Sequence, residues 1–290
     1  MIPDDRARVG AELLPRLPAS NSMRIGYQGE IYSYSHQVAT ELFPEQRLCG
    51  YPSFSGAFSA MRDAEVDHLV LPIENSTTGS VLPVLNRLVT GSFHIVAEHM
   101  KVASHSLLGL GGADLAGIRR VFSHPEALAQ AERTLARRGW EGVPVHDTAG
   151  AVRIVASEDD PQQAALAHLS ASALGLVVLL ENVVDRADNT TRFVVLAAGE
   201  PRVPETANKT SVVFEVLHRP GSLALALMEL AARGANLTRI ESRPSTEAWR
   251  YRFFVDLIHP PGPDGLAKVF NPDLVTVSNL RMLGSYQSAR

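Results

Sequence analysis

His68-Leu69-Val70-Leu71-Pro72-Ile73-Glu74-Asn75-Ser76-Thr77-Thr78-Gly79-Ser80-Val81-Leu82 runs from an apolar stretch into a dense polar cluster and out again. Leu69 to Leu71 is short enough for a buried strand, and Leu82, Leu85 and Leu88 then recur at helical spacing. Strand, polar junction and helix make one half of a strand–helix–strand unit, and the same grammar extends in both directions. Upstream lie Arg24 to Tyr27 (strand), Tyr34 to Phe43 (helix) and Phe54 to Ala64, where Phe54, Phe58 and Met61 fall on one helical face. Downstream come strands at Ile95-Val96, Arg120 to Phe122, Val143 to Val145, Gln163 to Ala167, Val177 to Leu180 and Phe193 to Leu196. Helical patterns at Leu128 to Leu135, Ala149 to Ala156 and Ser170 to Leu174 separate several of them. Such alternation predicts an α/β unit over residues 24–198 with a largely parallel sheet.

Ala198-Gly199-Glu200-Pro201-Arg202-Val203-Pro204 reads as the start of a linker, and the pattern changes beyond it. Lys209 to Leu217 (strand), Ser222 to Ala232 (helix), Asn236 to Ser242 and Trp249 to Ile258 (strands), Gly265 to Phe270 (helix) and Val275 to Tyr286 (strand) follow in order. That βαββαβ succession is ferredoxin-like. In its first helix Leu223, Leu227 and Leu230 fall at i, i+4 and i+7, a stripe expected to bury against the four strands.

A chain of 290 residues, 45% hydrophobic and 20% charged, is an ordinary globular sequence and excludes disorder, collagen and coiled coil. No window approaches the roughly 18 apolar residues of a membrane-spanning helix. The net charge of −4 offers no basic excess for a phosphate backbone, so neither membrane nor nucleic acid is an expected partner. Cys49 is alone, which forbids an intrachain disulfide and a cysteine cluster for zinc and suits a reducing cytoplasm. Residues 1–22 lack a signal-peptide core and read as a mobile leader.

Four polar junctions could carry chemistry. Glu74 to Ser80 supplies hydroxyls and free amide groups where a helix is expected to start, suited to a carboxylate or phosphate. Simple capping by Thr78 or Ser80 would need one such residue, whereas the cluster has several. Ser123-His124-Pro125-Glu126 is a second strand-to-helix junction, where His124 is either a general base or a cap. At His146-Asp147-Thr148 capping is the favoured reading. The fourth, Asp185-Arg186-Ala187-Asp188-Asn189-Thr190-Thr191-Arg192-Phe193, leads into a strand on which Thr191 and Phe193 share one face and Arg192 takes the other. A threonine hydroxyl in a dry cleft can donate to a departing oxygen, but only with an assisting network.

Taken together, Ile73-Glu74-Asn75-Ser76, Ser123-His124-Pro125, Asp147-Thr148-Ala149 and Asn189-Thr190-Thr191-Arg192-Phe193 resemble the catalytic region of prephenate dehydratase. Pro220-Gly221-Ser222-Leu223, Ile240-Glu241-Ser242-Arg243-Pro244, Phe253 to Asp256 and Leu283 to Tyr286 resemble the phenylalanine-binding ACT domain that follows it. The resemblance implies a two-lobed catalytic domain, 23–200, built like a type II periplasmic binding protein. Its first lobe would comprise about 24–100 and 188–198 and its second about 101–187, followed by a linker at 201–208 and an ACT domain at 209–290. It also implies conversion of prephenate to phenylpyruvate with feedback by L-phenylalanine, without metal or organic cofactor, in a homodimer or homotetramer. Arogenate dehydration, decarboxylation without aromatisation, and a non-catalytic amino-acid sensor are the alternatives.

By the same resemblance Thr191, Glu74, Asn75 and Ser76 are the candidate catalytic residues, and Ser33, Ser35, Thr77, Ser80, Thr190 and Arg192 the candidate substrate contacts. Gly221, Ser222, Leu223, Asn236, Glu241 and Ser242 are the candidate phenylalanine contacts, at an interface between two ACT domains. The opening motif Gly26 to Ser35 departs from the family pattern, with Tyr32 where a glycine is usual. A tyrosine there discourages positive φ or close approach to a ligand. Glu126 also replaces the usual glutamine-like residue, adding negative charge near a dianionic substrate.

Overall fold

The first strands are parallel, and the first and third bury side chains on both faces because they are covered on both sides, whereas the second lies half-exposed at the sheet edge. They are β1 (Arg24–Gln28), β2 (Arg47–Tyr51) and β3 (His68–Asn75), separated by α1 (Tyr34–Leu42) and α2 (Phe54–Arg62). A two-residue strand β4 (Gly79–Ser80), helix α3 (Leu82–Thr90) and the long β5 (Phe93–Val102) complete this part of the chain. The computed structural model describes residues 22–102, 104–185, 189–245, 247 and 249–289. Residues 1–21 of the expected leader, and Arg186 to Asp188 of the fourth polar junction, lie outside the described residues.

After β5 the chain builds a second lobe. It contains β6 (Ser106–Gly109), β7 (Arg120–Ser123), α4 (Pro125–Gln130), α5 (Glu132–Arg138), β8 (Glu141–Pro144), α6 (Thr148–Glu158), β9 (Gln163–Ala167) and β10 (Val177–Leu180). These strands form their own sheet in the order β10-β6-β9-β7-β8. The chain then returns as β11 (Thr190–Ala198), inserted antiparallel between β3 and β5. The lobes are therefore joined by two crossings, the two-lobed α/β arrangement that the resemblance implied.

The last segment folds as β12 (Lys209–Glu215), α7 (Ser222–Ala232), β13 (Asn236–Pro244), β14 (Tyr251–Ile258), α8 (Gly262–Phe270) and β15 (Ser278–Tyr286). Its strand order β13-β14-β12-β15 is that of a ferredoxin-like sheet. Period-two alternation divides its faces: Val212, Phe214, Phe253, Val255 and Leu257 pack under α7 and α8 around Ala226 and Leu230. Of the expected α7 stripe, Leu230 is fully buried and Leu223 only partly, while Leu225 and Met228 face outward. The opposite sheet face is covered by the first lobe. Val213, Phe254, Leu283 and Tyr286 share one core with Leu69, Leu71, Leu85, Leu88, Val194 and Leu196.

The two sheets are also continuous, since β15 pairs with β5 at Gly284 and Ile95. A Cβ on Gly284 would lie 2.2 Å from the Ile95 carbonyl oxygen, so the strands approach this closely only because residue 284 has no side chain. Buried charges bind the same junction. Arg192 on β11 is 4% exposed; its Nε lies 2.6 Å from Glu98 Oε2, its Nη1 contacts Asp256, and its Nη2 donates to the Tyr286 hydroxyl at 2.7 Å. Lys209 Nζ donates to both Glu98 oxygens at 2.8 and 2.9 Å, and Ser211 donates to Asp256 at 2.5 Å.

Several sequence readings need correction. The helix expected at Leu128 to Leu135 is two helices broken at Ala131, and the strand expected from Val275 begins at Ser278. β2, β4 and β6 were not anticipated. The polar cluster after β3 does not begin a helix: Asn75 and Gly79, and Glu74 and Ser80, pair in a tight hairpin. α3 starts only after Val81, which makes no side-chain cap. Among the described residues no helix is long and apolar enough to cross a membrane. The junction predicts that Gly284→Ala destabilises the protein by about 3 kcal/mol, the overpacking range. Denaturant unfolding and proteolysis across residues 201–208 would reveal both the loss and the loosened C-terminal module.

Candidate active site

β3 and β11 run side by side, and their register places Thr191 opposite Asn75 and Arg192 opposite Glu74. On the other side of β11, Thr191 stands opposite Lys101 of β5. Directly opposed residues share a face, so Asn75, Thr191 and Lys101 project from the same side of the sheet. That side is covered by α1, whose Val38, Ala39 and Leu42 pack with Phe193 and Val195.

Asn75 organises the polar contacts of this side. Its Oδ1 accepts from the amides of Thr77 and Thr78 at 2.9 and 3.0 Å, which fixes the amide orientation. Its Nδ2 donates to Asn189 Oδ1 at 2.7 Å and to Thr191 Oγ1 at 2.9 Å. Thr191 therefore accepts from Asn75 and keeps its own hydroxyl proton for another acceptor. Ser76 pins the strand end: its amide donates to the Thr190 carbonyl, and its hydroxyl accepts from the Thr190 amide, both at 2.9 Å. Asn189 Nδ2 is buried and makes no hydrogen bond among the described residues.

The loop before α1 reaches across to the second lobe. Ser33 caps α1 by accepting from the His36 amide at 3.3 Å, and Ser35 is buried in the first turn. Tyr32 adopts φ +71°, the left-handed conformation that the family glycine would take freely. It is held there by its contacts: its amide donates to His36 Nδ1 at 3.2 Å, its carbonyl accepts from Gln37 at 3.1 Å, and its ring packs against the second-lobe core. Its neighbour Glu30 forms an ion pair with Arg153 on α6, a bond between the lobes. Glu126 sits in the first turn of α4, where a negative charge suits the positive helix end. His124 caps that helix by accepting from the Glu126 amide at 3.2 Å.

The first crossing between lobes holds a group of side chains that the motifs did not point to. The Tyr34 hydroxyl donates to the Ser104 carbonyl at 2.6 Å and lies 3.4 Å from His105 Nδ1. Burial pushes the Tyr34 hydroxyl well above its usual range. His105 is 3% exposed, its Nε2 lies 3.2 Å from Gln130 Oε1, and burial lowers it to about 4 despite that contact. Lys101 forms an ion pair with Glu41, which lowers the Glu41 carboxyl to about 2 together with His99, the larger influence. His168 approaches Tyr34 edge-on at 6.0 Å, and burial and Lys101 both lower its pKa.

Three expected cleft residues face the other way. Glu74 lies one residue from Asn75 and so on the opposite side of β3, where its oxygens are 3.5 Å from Arg192 and 3.6 Å from Arg239. Arg192 is turned to that side by the same alternation, and its donors are engaged with Glu98, Asp256 and Tyr286 rather than left for a substrate carboxylate. Ser80 donates to Glu241 and accepts from Arg239 at 2.6 Å. Glu74, Ser80 and Arg192 are thus junction residues. Glu241, expected at the effector site, holds Arg239 and Arg243 at 2.5 Å each in addition to Ser80. Gly221 takes φ +83° ahead of α7, Ser222 and Leu223 open that helix, and Asn236 and Ser242 are exposed on β13. Among the described residues no cluster of His, Cys, Asp and Glu could hold a metal ion.

Residues 25–201 match the family model for prephenate dehydratase, and residues 210–271 match that for the ACT domain. This chain belongs to the prephenate dehydratase family. It is 36% identical, over 94% of its length and 78% of the relative's, to Arogenate dehydratase/prephenate dehydratase 2, chloroplastic, from Arabidopsis thaliana. A prephenate dehydratase from Arthrobacter aurescens, solved in complex with L-Phe, superposes with a TM-score of 0.79 at 28% identity, over 92% of this chain and 90% of that one. A structure described as GqqA, a novel type of quorum quenching acylase, superposes with a TM-score of 0.82 at 30% identity, over 92% and 98%.

Within this family member the neutral, buried His105 makes a testable contribution to stability. An unfolded histidine titrates near 6.5 and the folded one at about 4, so between these values the unfolded chain binds the extra proton. Its contribution is complete above pH ~6.5 and is lost as pH falls toward 4, by about 3 kcal/mol in all. His105→Gln should remove that share of the acid slope in denaturant titrations between pH 7 and 4. An unchanged slope would refute the assignment.

Proposed function

We propose that this protein converts prephenate to phenylpyruvate with loss of water and CO₂, and that L-phenylalanine bound to the C-terminal module regulates it. In this reading residues 23–200 are the catalytic unit and 209–290 the regulatory one. The observation that carries it is the Asn75–Thr191 contact. Because Asn75 Nδ2 donates into Thr191 Oγ1, the threonine proton is directed elsewhere, and a hydroxyl that accepts one hydrogen bond donates a stronger one. As the ring C–O bond breaks, Thr191 supplies its proton to the departing hydroxyl, which leaves as water. The ring carboxylate leaves as CO₂, and the electron pair of its C–C bond aromatises the ring. Thr191 is reprotonated from solvent.

Aromatisation supplies the driving force, so the protein's task is orientation and charge placement. Ser33, Ser35 and Thr77 frame the substrate on the Thr191 side, Thr190 holds Ser76 there through its backbone amide and carbonyl, and Lys101 supplies a cation on that face. Membership in the prephenate dehydratase family supports the substrate, and the matching ACT domain and the L-Phe complex of the Arthrobacter aurescens protein support the effector. The Arabidopsis thaliana relative's name supports arogenate as a second substrate, which differs in carrying an amino group where prephenate has its keto oxygen. An acylase reaction fits the site less well. It needs a base to activate the threonine, and among the described residues the side chain that bonds to that hydroxyl is Asn75.

The protein acts as a homodimer or homotetramer in the cytoplasm; the outward Leu225 and Met228 of α7 and Ile240 of β13 support association through the C-terminal module. Thr191→Val should lower kcat on prephenate by at least about 100-fold, the usual loss for a positioned proton donor, with an unchanged melting temperature. Phenylpyruvate absorbance measures this, and near wild-type turnover would refute the mechanism. Calorimetry should show L-phenylalanine binding below millimolar concentration, weakened by Gly221→Val; heat-silent mixing would remove the regulatory half alone.

A further inference from the structure

Asn75 and Thr191 each have a chain neighbour held from the C-terminal module. Next to Asn75 stands Glu74, 3.6 Å from Arg239 of β13. Next to Thr191 stands Arg192, bound to Asp256 of β14 and to the Tyr286 hydroxyl of β15. The hairpin that follows Asn75 is held a third time, through Ser80 and the Arg239–Glu241 pair. Each of these contacts lies on the side of the sheet away from the cleft, yet only one backbone unit separates Arg192 from Thr191 and Glu74 from Asn75.

We propose that Arg192 and Glu74 are positioning residues through which the C-terminal module sets the distance between Thr191 and Asn75, and so the rate of proton donation. This rests on the catalytic reading above and adds to it the route by which regulation arrives. Glu98 holds Arg192 from within the first lobe, while Asp256 and Tyr286 hold it from the module, so any displacement of β14 or β15 relative to β5 pulls on β11. A cleft of about 350 Å³ that opens toward solvent borders the junction, lined by Glu74, Arg192, Lys209, Arg239 and Asp256, so these side chains are not locked on every side. Glu241 links this set to β13, one of the strands expected to meet the effector. Coupling is reciprocal by thermodynamic necessity, so a junction that transmits effector binding to Thr191 also makes effector affinity depend on the substrate.

Tyr286→Phe tests the proposal with least disturbance, because it keeps the buried ring and removes the hydroxyl that binds Arg192. The full-length variant should bind L-phenylalanine with an affinity within about threefold of the parent, as calorimetry measures it, yet lose at least half of the inhibition that ligand exerts. Its kcat on prephenate should fall about fivefold or more, with KM within twofold. Hydrogen exchange gives a readout independent of turnover: amides of residues 189–195 should exchange faster in the variant, while those of 106–167 in the second lobe should not. Arg192→Lys, which keeps the charge but loses the forked geometry, should show the same pattern.

Wild-type kcat and inhibition in Tyr286→Phe, or exchange that rises equally in both lobes, would overturn the proposal. So would kcat and KM changing together in step with the melting temperature, which is the signature of a purely structural role. Absence of prephenate turnover in the parent protein refutes the catalytic reading instead, and the exchange experiment still decides whether the module controls β11.

Discussion

A guanidinium almost out of contact with water must be neutralised where it sits, and much of this structure is arranged around that requirement at Arg192. Burial alone would lower its pKa, but Tyr286, Asp256 and Glu98 raise it further than burial lowers it, and the residue stays charged. Lys209 balances the second carboxylate, and its own pKa is lowered by burial and by Arg192. Asp256 is held below the usual carboxylate range by Arg192 and Ser211 against the opposing effect of burial. Two cations and two anions so placed form a neutral set, and removing any one would leave its partners charged in a dry environment. The partners come from β5, β11, β12, β14 and β15, so the set is complete only when both halves of the chain are folded together. The apolar core around it, shared between Leu71, Val194, Phe254 and Tyr286, has the same property.

The two-residue period of a strand then separates two jobs at minimal distance. On β11, and at the Glu74–Asn75 end of β3, successive positions face different surroundings: one side meets the cleft and α1, the other the C-terminal module. A helix would have spread the same residues around a cylinder with no such clean partition. The register shift opposite Arg192 and Phe193 keeps this division on β11, where Phe193 and Val195 pack beneath α1, but interrupts it on β3, where Ile73 and Glu74 both face the module.

How far the sequence reading reached follows from which signals are local. Alternating strands and helices, the break after Ala198 and the βαββαβ order all rest on short-range hydrophobic pattern, and the structure has them. The strands that escaped notice, Arg47–Tyr51 and Ser106–Gly109, are short and contain glycine, so little alternation was there to read. The hairpin at Asn75 to Ser80 was taken for a helix start because hydroxyl-rich junctions cap helices as readily as they turn strands. Side-chain direction was the larger difficulty. Glu74, Ser80 and Arg192 carry motif residues, but which side they face depends on what packs there, and the covering of the second sheet face by a distant module leaves no local trace. Lys101 and His105 have the opposite history: isolated in sequence, they are brought to the cleft side by register and by the crossing between lobes. Tyr32 shows that a residue type disfavoured in a conformation can still occupy it when hydrogen bonds and packing on three sides leave no alternative.

The meeting of β15 with β5 also bears on how the chain could be divided. β5 is paired on one flank by β11, and β15 shields its other flank near Ile95. A fragment released at the linker would bare that flank together with Leu71, Val194 and the Arg192–Glu98 pair, stripped of Asp256, Tyr286 and Lys209. An open strand border beside a greasy surface recruits any passing strand, so such a fragment would be prone to self-associate. The C-terminal module therefore acts as a chaperoning cover for the first lobe as well as its proposed governor, and the two roles draw on the same contacts.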